Sequence, residues 1–174
     1  MKFLTYLAEK NKQPSFGFKL NDLIIDIRRS AEWINKDQGN EKFLTIPNDL
    51  KSTISDWNHF FPILQEMEEI VKSSDLSEIS NPESDLQILS PIINPPAFRD
   101  FYAFEQHVRA ARKLRGLEMH PDWFKIAIFY FSNPNCCFGH GQDIPYPSNT
   151  AELDFELEFA IIIGNGGSNI KAGD

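Results

Sequence analysis

The chain has 174 residues, 41% of them hydrophobic and fifteen of them Phe, and a formal net charge of −8. This length allows one good-sized domain, or one domain with a smaller appendage, and supplies ample material for a core. The negative charge argues against a nucleic-acid groove, which needs concentrated Lys and Arg. No apolar run approaches a membrane span and no signal peptide opens the chain, while two adjacent cysteines argue against a disulfide framework. A reducing cytoplasm is the expected location.

The first half of the chain predicts a small module built around a β-hairpin. Residues 2–8 have the composition of a strand, and a polar turn follows over residues 9–14. Residues 16–20 alternate between apolar and other side chains, and residues 23–27 are predicted as the returning strand. The Asn21-Asp22 pair between them is typical of a turn.

Two helices are predicted to complete this module. A short helix starts at Ser30 and has an apolar side. The second covers residues 61–71, where apolar residues recur at helical spacing and Pro62 fits the first turn.

A connector follows over residues 72–96, which are rich in Ser and then in Pro. It contains a short predicted strand at residues 86–89. A domain boundary is therefore predicted near residue 90, with a small N-terminal domain over residues 1–90 and a second domain over residues 91–174.

The second domain opens on an aromatic segment. A helix is predicted from Ala103 to Arg115, ended by Gly116, and an apolar strand over residues 126–131. The adjacent Cys136 and Cys137 are predicted to be buried thiols, in preference to a nucleophile or a metal-binding pair.

Residues 153–164 alternate acidic and apolar side chains and then become continuously apolar, which predicts a strand that enters the interior. Asp154, Glu156 and Glu158 would share one face at a spacing of about 6.5–7 Å. Two carboxylates about 6 Å apart repel by roughly 3 kcal/mol at an effective dielectric constant near 20, so the cluster requires protonation, basic partners or a cation. Oxygen ligands suit Mg²⁺, Ca²⁺ or Mn²⁺. A solvated outer face of an edge strand explains the pattern equally well.

Asp100 and His107 are the other candidates for chemistry. A carboxylate with an imidazole about one turn into the following helix could form a metal site with a base beside it. Taken singly, Asp100 is more often a helix cap, and His107 is more often an ordinary surface or helix histidine.

Three segments together resemble the fumarylacetoacetate hydrolase family in order and spacing. They are Arg99-Asp100-Phe101-Tyr102 with Gln106-His107, then Met119…Pro121-Asp122-Trp123…Tyr130, then Leu153-Asp154-Phe155-Glu156-Leu157-Glu158 ending in Ile162-Ile163-Gly164. The resemblance covers roughly residues 86–174, and the N-terminal module is less specifically similar to the family's small leading domain. It implies an α+β, β-rich chain in which a hairpin-and-helix domain precedes the first part of a mixed β fold.

The resemblance also implies roles for six residues. Asp100, Glu156 and Glu158 would bind a divalent metal (Mg²⁺, Ca²⁺ or Mn²⁺), His107 would be the base that activates water, and Tyr102 and Tyr130 would hold the substrate. Asp154 matches the motif as a structural partner. The implied reaction is hydrolysis of a carbon–carbon bond in a small anionic β-diketo acid of the acylpyruvate type, in the breakdown of aromatic compounds. A homodimer is expected by resemblance alone.

Two other functions stay open. The same fold and metal–enolate chemistry serve hydration, decarboxylation or tautomerisation of a keto acid. The family also places a further metal-binding aspartate and its oxyanion groups after the acidic stretch, where this chain stops. The second alternative is therefore a truncated, non-catalytic fragment with residual cation binding.

Overall fold

The computed structural model describes residues 1–8, 13–171 and 173. The protein is α+β and divides into two compact units, one made of residues 1–93 with 138–174 and the other of residues 94–137. The predicted polar turn falls mainly on residues 9–12, which lie outside the described part. The predicted domain limits at residues 90 and 91 stay a prediction.

The first unit contains a five-stranded antiparallel sheet in the order β4-β3-β2-β1-β5. Its strands are β1 (Lys2–Ala8), β2 (Ser15–Leu20), β3 (Leu23–Asp26), β4 (Ser80–Pro82) and β5 (Leu86–Ile88). The β2–β3 turn holds Asn21 at a φ of 56°, a left-handed conformation that Asn tolerates better than most residues. The predicted hairpin and the short strand within the connector are therefore confirmed.

Three α-helices accompany this sheet: α1 (Ile27–Gln38), α2 (Leu50–Ser55) and α3 (Trp57–Lys72). The predicted starts of α1 at Ser30 and of α3 with Pro62 in its first turn are both wrong. Trp57 stacks on Phe61 one turn later, with ring centroids 4.7 Å apart, and packs edge-on against Phe3 of β1. This burial extends α3 backward, so that Pro62 lies inside the helix and leaves one backbone acceptor without its usual donor.

Apolar side chains from one face of β2 and β3 pack with the helices to form the core. Phe18 and Ile25 lie directly opposite each other in the antiparallel register, and both are fully buried. Each such side chain contributes about 1.5–3 kcal/mol through its removal from water. The other core residues are Phe16, Ile27, Ala31, Ile34, Phe43, Ile46, Leu50, Ile63, Leu64, Met67, Val71 and Ile79.

The junction between β3 and α1 is fixed by the buried Asp26. Its Oδ1 accepts the backbone N–H of Arg29 at 2.8 Å, which caps α1, and its Oδ2 accepts the hydroxyl of Tyr6 at 2.6 Å. Its own backbone N–H donates to the carbonyl of Ile79 at 2.8 Å. Because the Asp26 side chain accepts the backbone N–H of Arg29 in the first turn, α1 begins at Ile27, three residues before the predicted start.

Tyr6 of β1 is fully buried against this junction. Burial, and then the negative charge of Asp26, raise the pKa of Tyr6 far above its usual value. Gly17 of β2 leaves room for the ring, because a Cβ there would lie 3.2 Å from it and 2.5 Å from the carbonyl oxygen of Ile25. The sheet therefore requires glycine at position 17.

The second unit contains β6 (Phe98–Phe101) paired antiparallel with β7 (Phe129–Ser132), and α4 (Glu105–Leu114). The helix confirms the one predicted from Ala103 to Arg115, and Gly116 follows it at a φ of 69°. Only the end of the apolar run from residue 126 is a strand. Within the described residues, none of the helices has the length and apolar character needed to cross a membrane.

The predicted strand over residues 153–164 is wrong. The structure has neither helix nor strand there, and Phe155, Leu157 and Phe159 are 85%, 95% and 94% exposed. A strand exists only where a neighbour satisfies its backbone groups, and no described strand pairs with this stretch. The alternation of acidic and apolar residues indicates which side chains would share a face of a strand. It does not indicate whether a neighbouring strand is present to pair with.

We expect Tyr6→Phe to lower the free energy of unfolding by about 1–3 kcal/mol, because it leaves the buried Oδ2 of Asp26 without its donor. Chemical denaturation measures this loss. Tyr146→Phe removes the same hydroxyl from a ring that is 56% exposed and serves as the control. Equal stability of the two variants would contradict the assigned bond.

The same variant has a predicted pH dependence. The folded state keeps the Tyr6 proton, whereas the unfolded chain releases it near the ordinary pKa of 10.0. The stabilisation is therefore complete below that pH and is lost as the pH rises. Above that pH, the free energy of unfolding of the parent should fall by up to about 1.4 kcal/mol per pH unit more than that of Tyr6→Phe.

Candidate functional site

Four of the six predicted site residues lie in the second unit. Asp100 is on β6, Tyr102 follows that strand, His107 is on α4 and Tyr130 is on β7. Glu156 and Glu158 belong to the irregular exposed stretch of the first unit.

The pairing of β6 with β7 brings Asp100 and Tyr130 together. They are directly opposite partners in the antiparallel register, which places their side chains on one face at a Cβ separation of about 4.5–5.5 Å. Asp100 is half-buried, whereas the Tyr130 side chain is 66% exposed. A carboxylate and a reachable phenol therefore share one side of the ribbon.

The opposite side of this ribbon is aromatic. Arg99 places its guanidinium 4.1 Å from the ring centre of Phe131, and Phe129 lies 5.2 Å from both Phe101 and Phe131. These residues alternate with Asp100 and Tyr130 along their strands. Because the cation–π and ring contacts hold the register, they also hold Asp100 on the polar side.

Tyr102 and His107 form the second pair. Their rings meet edge to face, at 89° with centroids 6.1 Å apart. The Tyr102 backbone is held on both sides, because its N–H donates to the carbonyl of Ile128 at 3.0 Å and its carbonyl accepts the indole N–H of Trp123 at 2.9 Å. The motif alone assigned no role to Trp123, and its indole hydrogen bond identifies it as a support of this pair.

The helix itself fixes where the imidazole lies. Val108 is the buried residue of α4, so the neighbouring His107 is held at the surface. Glu105 and Arg109 form an ion pair of 2.6 Å one turn apart along the exposed side. His107 is thus accessible to water on a short helix with fixed orientation.

The predicted metal ligands have the donor chemistry of a hard divalent cation, since all three are carboxylates. Among the described residues, however, no three or more His, Cys, Asp or Glu side chains lie together in a way that could hold a metal ion. The carboxylate of Asp154 accepts the backbone N–H of Phe155 at 2.8 Å. The ligand set stays a prediction.

An open groove in the first unit is lined by none of the predicted site residues. It has a volume of about 490 Å³ and lies between β5 and the loop at residues 138–143, with His140 and Asp143 among its lining residues. Gly139 approaches β5 so closely that a Cβ there would lie 1.9 Å from the carbonyl oxygen of Ile88. The groove depends on glycine at this position.

The candidate residues lie in a part of the chain that is similar to known proteins. Residues 97–174 match the family model described as the fumarylacetoacetate (FAA) hydrolase C-terminal domain. This range contains all six predicted site residues. The match confirms the resemblance over these residues.

Two curated relatives support the same assignment. Fumarylacetoacetase from Arabidopsis thaliana is 26% identical over 196 residues, which cover 92% of this chain and 45% of the relative. Fumarylacetoacetase from Oryza sativa subsp. japonica is 30% identical over 102 residues, which cover 49% of this chain and 24% of the relative. The chain spans less than half the length of either relative.

We expect Trp123→Phe to loosen the Tyr102–His107 pair, because phenylalanine keeps the aromatic bulk but removes the indole N–H donor. The free energy of unfolding should fall by about 0.5–1.5 kcal/mol, and the imidazole proton resonances of His107 should shift. Trp33→Phe, a half-buried tryptophan on α1, is the control and should leave those resonances in place. Unchanged His107 signals in Trp123→Phe would contradict the assigned role.

Proposed function

We propose that the site residues of this chain serve the metal-dependent hydrolysis of a carbon–carbon bond in a small anionic β-diketo acid. One observation carries the proposal. Within the residues that match the family model, Asp100 faces Tyr130 and Tyr102 contacts His107. A carboxylate, two phenols and an imidazole at an accessible surface are the groups this reaction needs.

His107 is the general base in this proposal. Its imidazole is exposed, so a ring nitrogen can accept the proton of a water molecule. The edge-on contact with Tyr102 limits rotation of the ring and presents that nitrogen in one direction. The deprotonated water then attacks a carbonyl carbon of the substrate, and the bond to the neighbouring carbon breaks.

Tyr102 and Tyr130 bind the substrate in this proposal. Phenolic hydroxyls donate short hydrogen bonds to carboxylate oxygens, which a diketo acid carries. The anchored backbone of Tyr102 and the strand position of Tyr130 fix where those donors lie. Such anchoring orients the carbonyl toward the base and lowers the entropy cost of reaction.

Asp100, Glu156 and Glu158 are the proposed ligands of Mg²⁺, Mn²⁺ or Ca²⁺. When bound, such a cation would supply Lewis-acid polarisation of the diketo oxygens and would stabilise the leaving enolate. The oxygen-only donor set supports this choice of metal. The proposal also includes a homodimer in the cytoplasm, with the diketo acid as its small-molecule partner.

The metal assignment predicts that Glu156→Gln combined with Glu158→Gln abolishes the rise in melting temperature that Mg²⁺ or Mn²⁺ produces in the parent. The substitution removes two anionic ligands and keeps the size of both side chains. Glu118→Gln combined with Glu152→Gln removes the same charge from two other exposed positions and should preserve the shift. Equal metal-induced shifts in the parent and in the Glu156/Glu158 variant would rule out these ligands.

The base assignment predicts that His107→Ala lowers turnover of an acylpyruvate-type diketo acid by about 10²–10⁴-fold, while metal affinity stays near that of the parent. His59→Ala, an exposed histidine of α3, should leave turnover unchanged. Steady-state kinetics at saturating substrate and a metal titration separate the two effects. Parent-like turnover in His107→Ala would exclude this base and favour a keto-acid hydratase, decarboxylase or tautomerase.

A further inference from the structure

The two cysteines are not the buried thiols that the sequence predicted. Cys136 is exposed and Cys137 is partly buried, and both are free. They lie shortly after the end of β7, beyond a turn at Asn133 and Pro134. In this turn the backbone N–H of Cys136 donates to the carbonyl of Asn133 at 3.3 Å. Because β7 ends at Ser132, its apolar pattern does not extend to the cysteines and does not bury them.

Both sulfur atoms fold back onto the same turn. Sγ of Cys136 accepts the side-chain amide of Asn133 at 3.0 Å, and Sγ of Cys137 lies 3.6 Å from the carbonyl oxygen of Pro134. Each thiol therefore contacts the turn that precedes the pair, and the two cysteines are adjacent in sequence. Two adjacent free thiols offer two soft ligands to one bound atom.

The spacing of the pair disfavours a disulfide. Adjacent residues joined by a trans peptide have Cα atoms about 3.8 Å apart, whereas disulfides span about 4.4–6.8 Å. An internal disulfide would therefore be strained and easily reduced. In a thiol-containing environment the two side chains persist as a dithiol.

We propose that Cys136 and Cys137 form a dithiol site that captures a thiophilic trivalent arsenical as a two-sulfur chelate. Soft thiolate ligands favour soft acceptors, and a single bridging atom relieves the strain that a direct sulfur–sulfur bond would impose. This site lies in the second unit and does not depend on the hydrolase chemistry.

The reaction balances without an oxidant. A hydrated monosubstituted arsenoxide, R–As(OH)₂, loses both As–O bonds while the two thiols lose their S–H bonds. Two As–S bonds form, two water molecules leave, and arsenic stays trivalent. Once one sulfur has reacted, the second reacts intramolecularly, so binding should exceed that of either thiol alone by about 10²–10⁴-fold.

The test uses phenylarsine oxide and the reduced chain, followed by mass spectrometry of the intact protein. The parent should carry one phenylarsenic group per chain, keep it in a large excess of glutathione, and release it to the dithiol dithiothreitol. Cys136→Ser and Cys137→Ser should each bind at least about 10²-fold more weakly and lose the adduct to glutathione.

Three results would overturn the proposal. Two phenylarsenic groups per chain would show two independent thiols. Loss of the parent adduct to glutathione would show that no chelate forms, and this outcome does not depend on whether the variants fold. Retention by either serine variant equal to that of the parent would show that the second sulfur takes no part.

Discussion

Asp26 connects the start of α1 with two segments that are distant in sequence, β1 and the residue before β4. One oxygen caps α1, the other holds the hydroxyl of Tyr6 in β1, and the backbone of the same residue bonds to Ile79 ahead of β4. Burial makes each bond expensive to lose, because a stranded carboxylate oxygen has no water to replace its donor. Among the described residues every buried side-chain nitrogen and oxygen has a hydrogen-bond partner, so the polar interior is complete around this junction.

The second unit depends on a different kind of constraint. It has no large hydrophobic core. The register of β6 with β7 is held by contacts among their aromatic side chains and by Arg99 against Phe131. That aromatic face determines which residues point the other way, and Asp100 and Tyr130 are among them. The positions of these two candidate site residues thus follow from the packing of residues on the opposite face.

Local patterns predicted the elements that have local causes. The hairpin around Asn21 and the helix ended by Gly116 follow from turn and capping preferences that short stretches contain. The family motif likewise indicated Asp100, Tyr102, His107 and Tyr130, and the structure groups them in pairs. The start of α3 at Trp57 and the indole bond of Trp123 could not be read from sequence, because each depends on a residue that is distant along the chain. The strand predicted at residues 153–164 is wrong for the same reason, because a strand requires a neighbouring strand to pair with.

That stretch has a consequence for how the polypeptide behaves in solution. Residues 159–163, Phe-Ala-Ile-Ile-Ile, carry no charge, proline or glycine, and Phe159 and Ile161 are 94% and 85% exposed. Such a composition favours in-register stacking of many copies into cross-β fibrils. Asp154, Glu156 and Glu158 stand immediately before it, and like charges stacked at the fibril repeat of about 4.8 Å repel one another. These acidic residues, two of which are proposed metal ligands, therefore also act as gatekeepers against aggregation, and neutralising them would remove that protection.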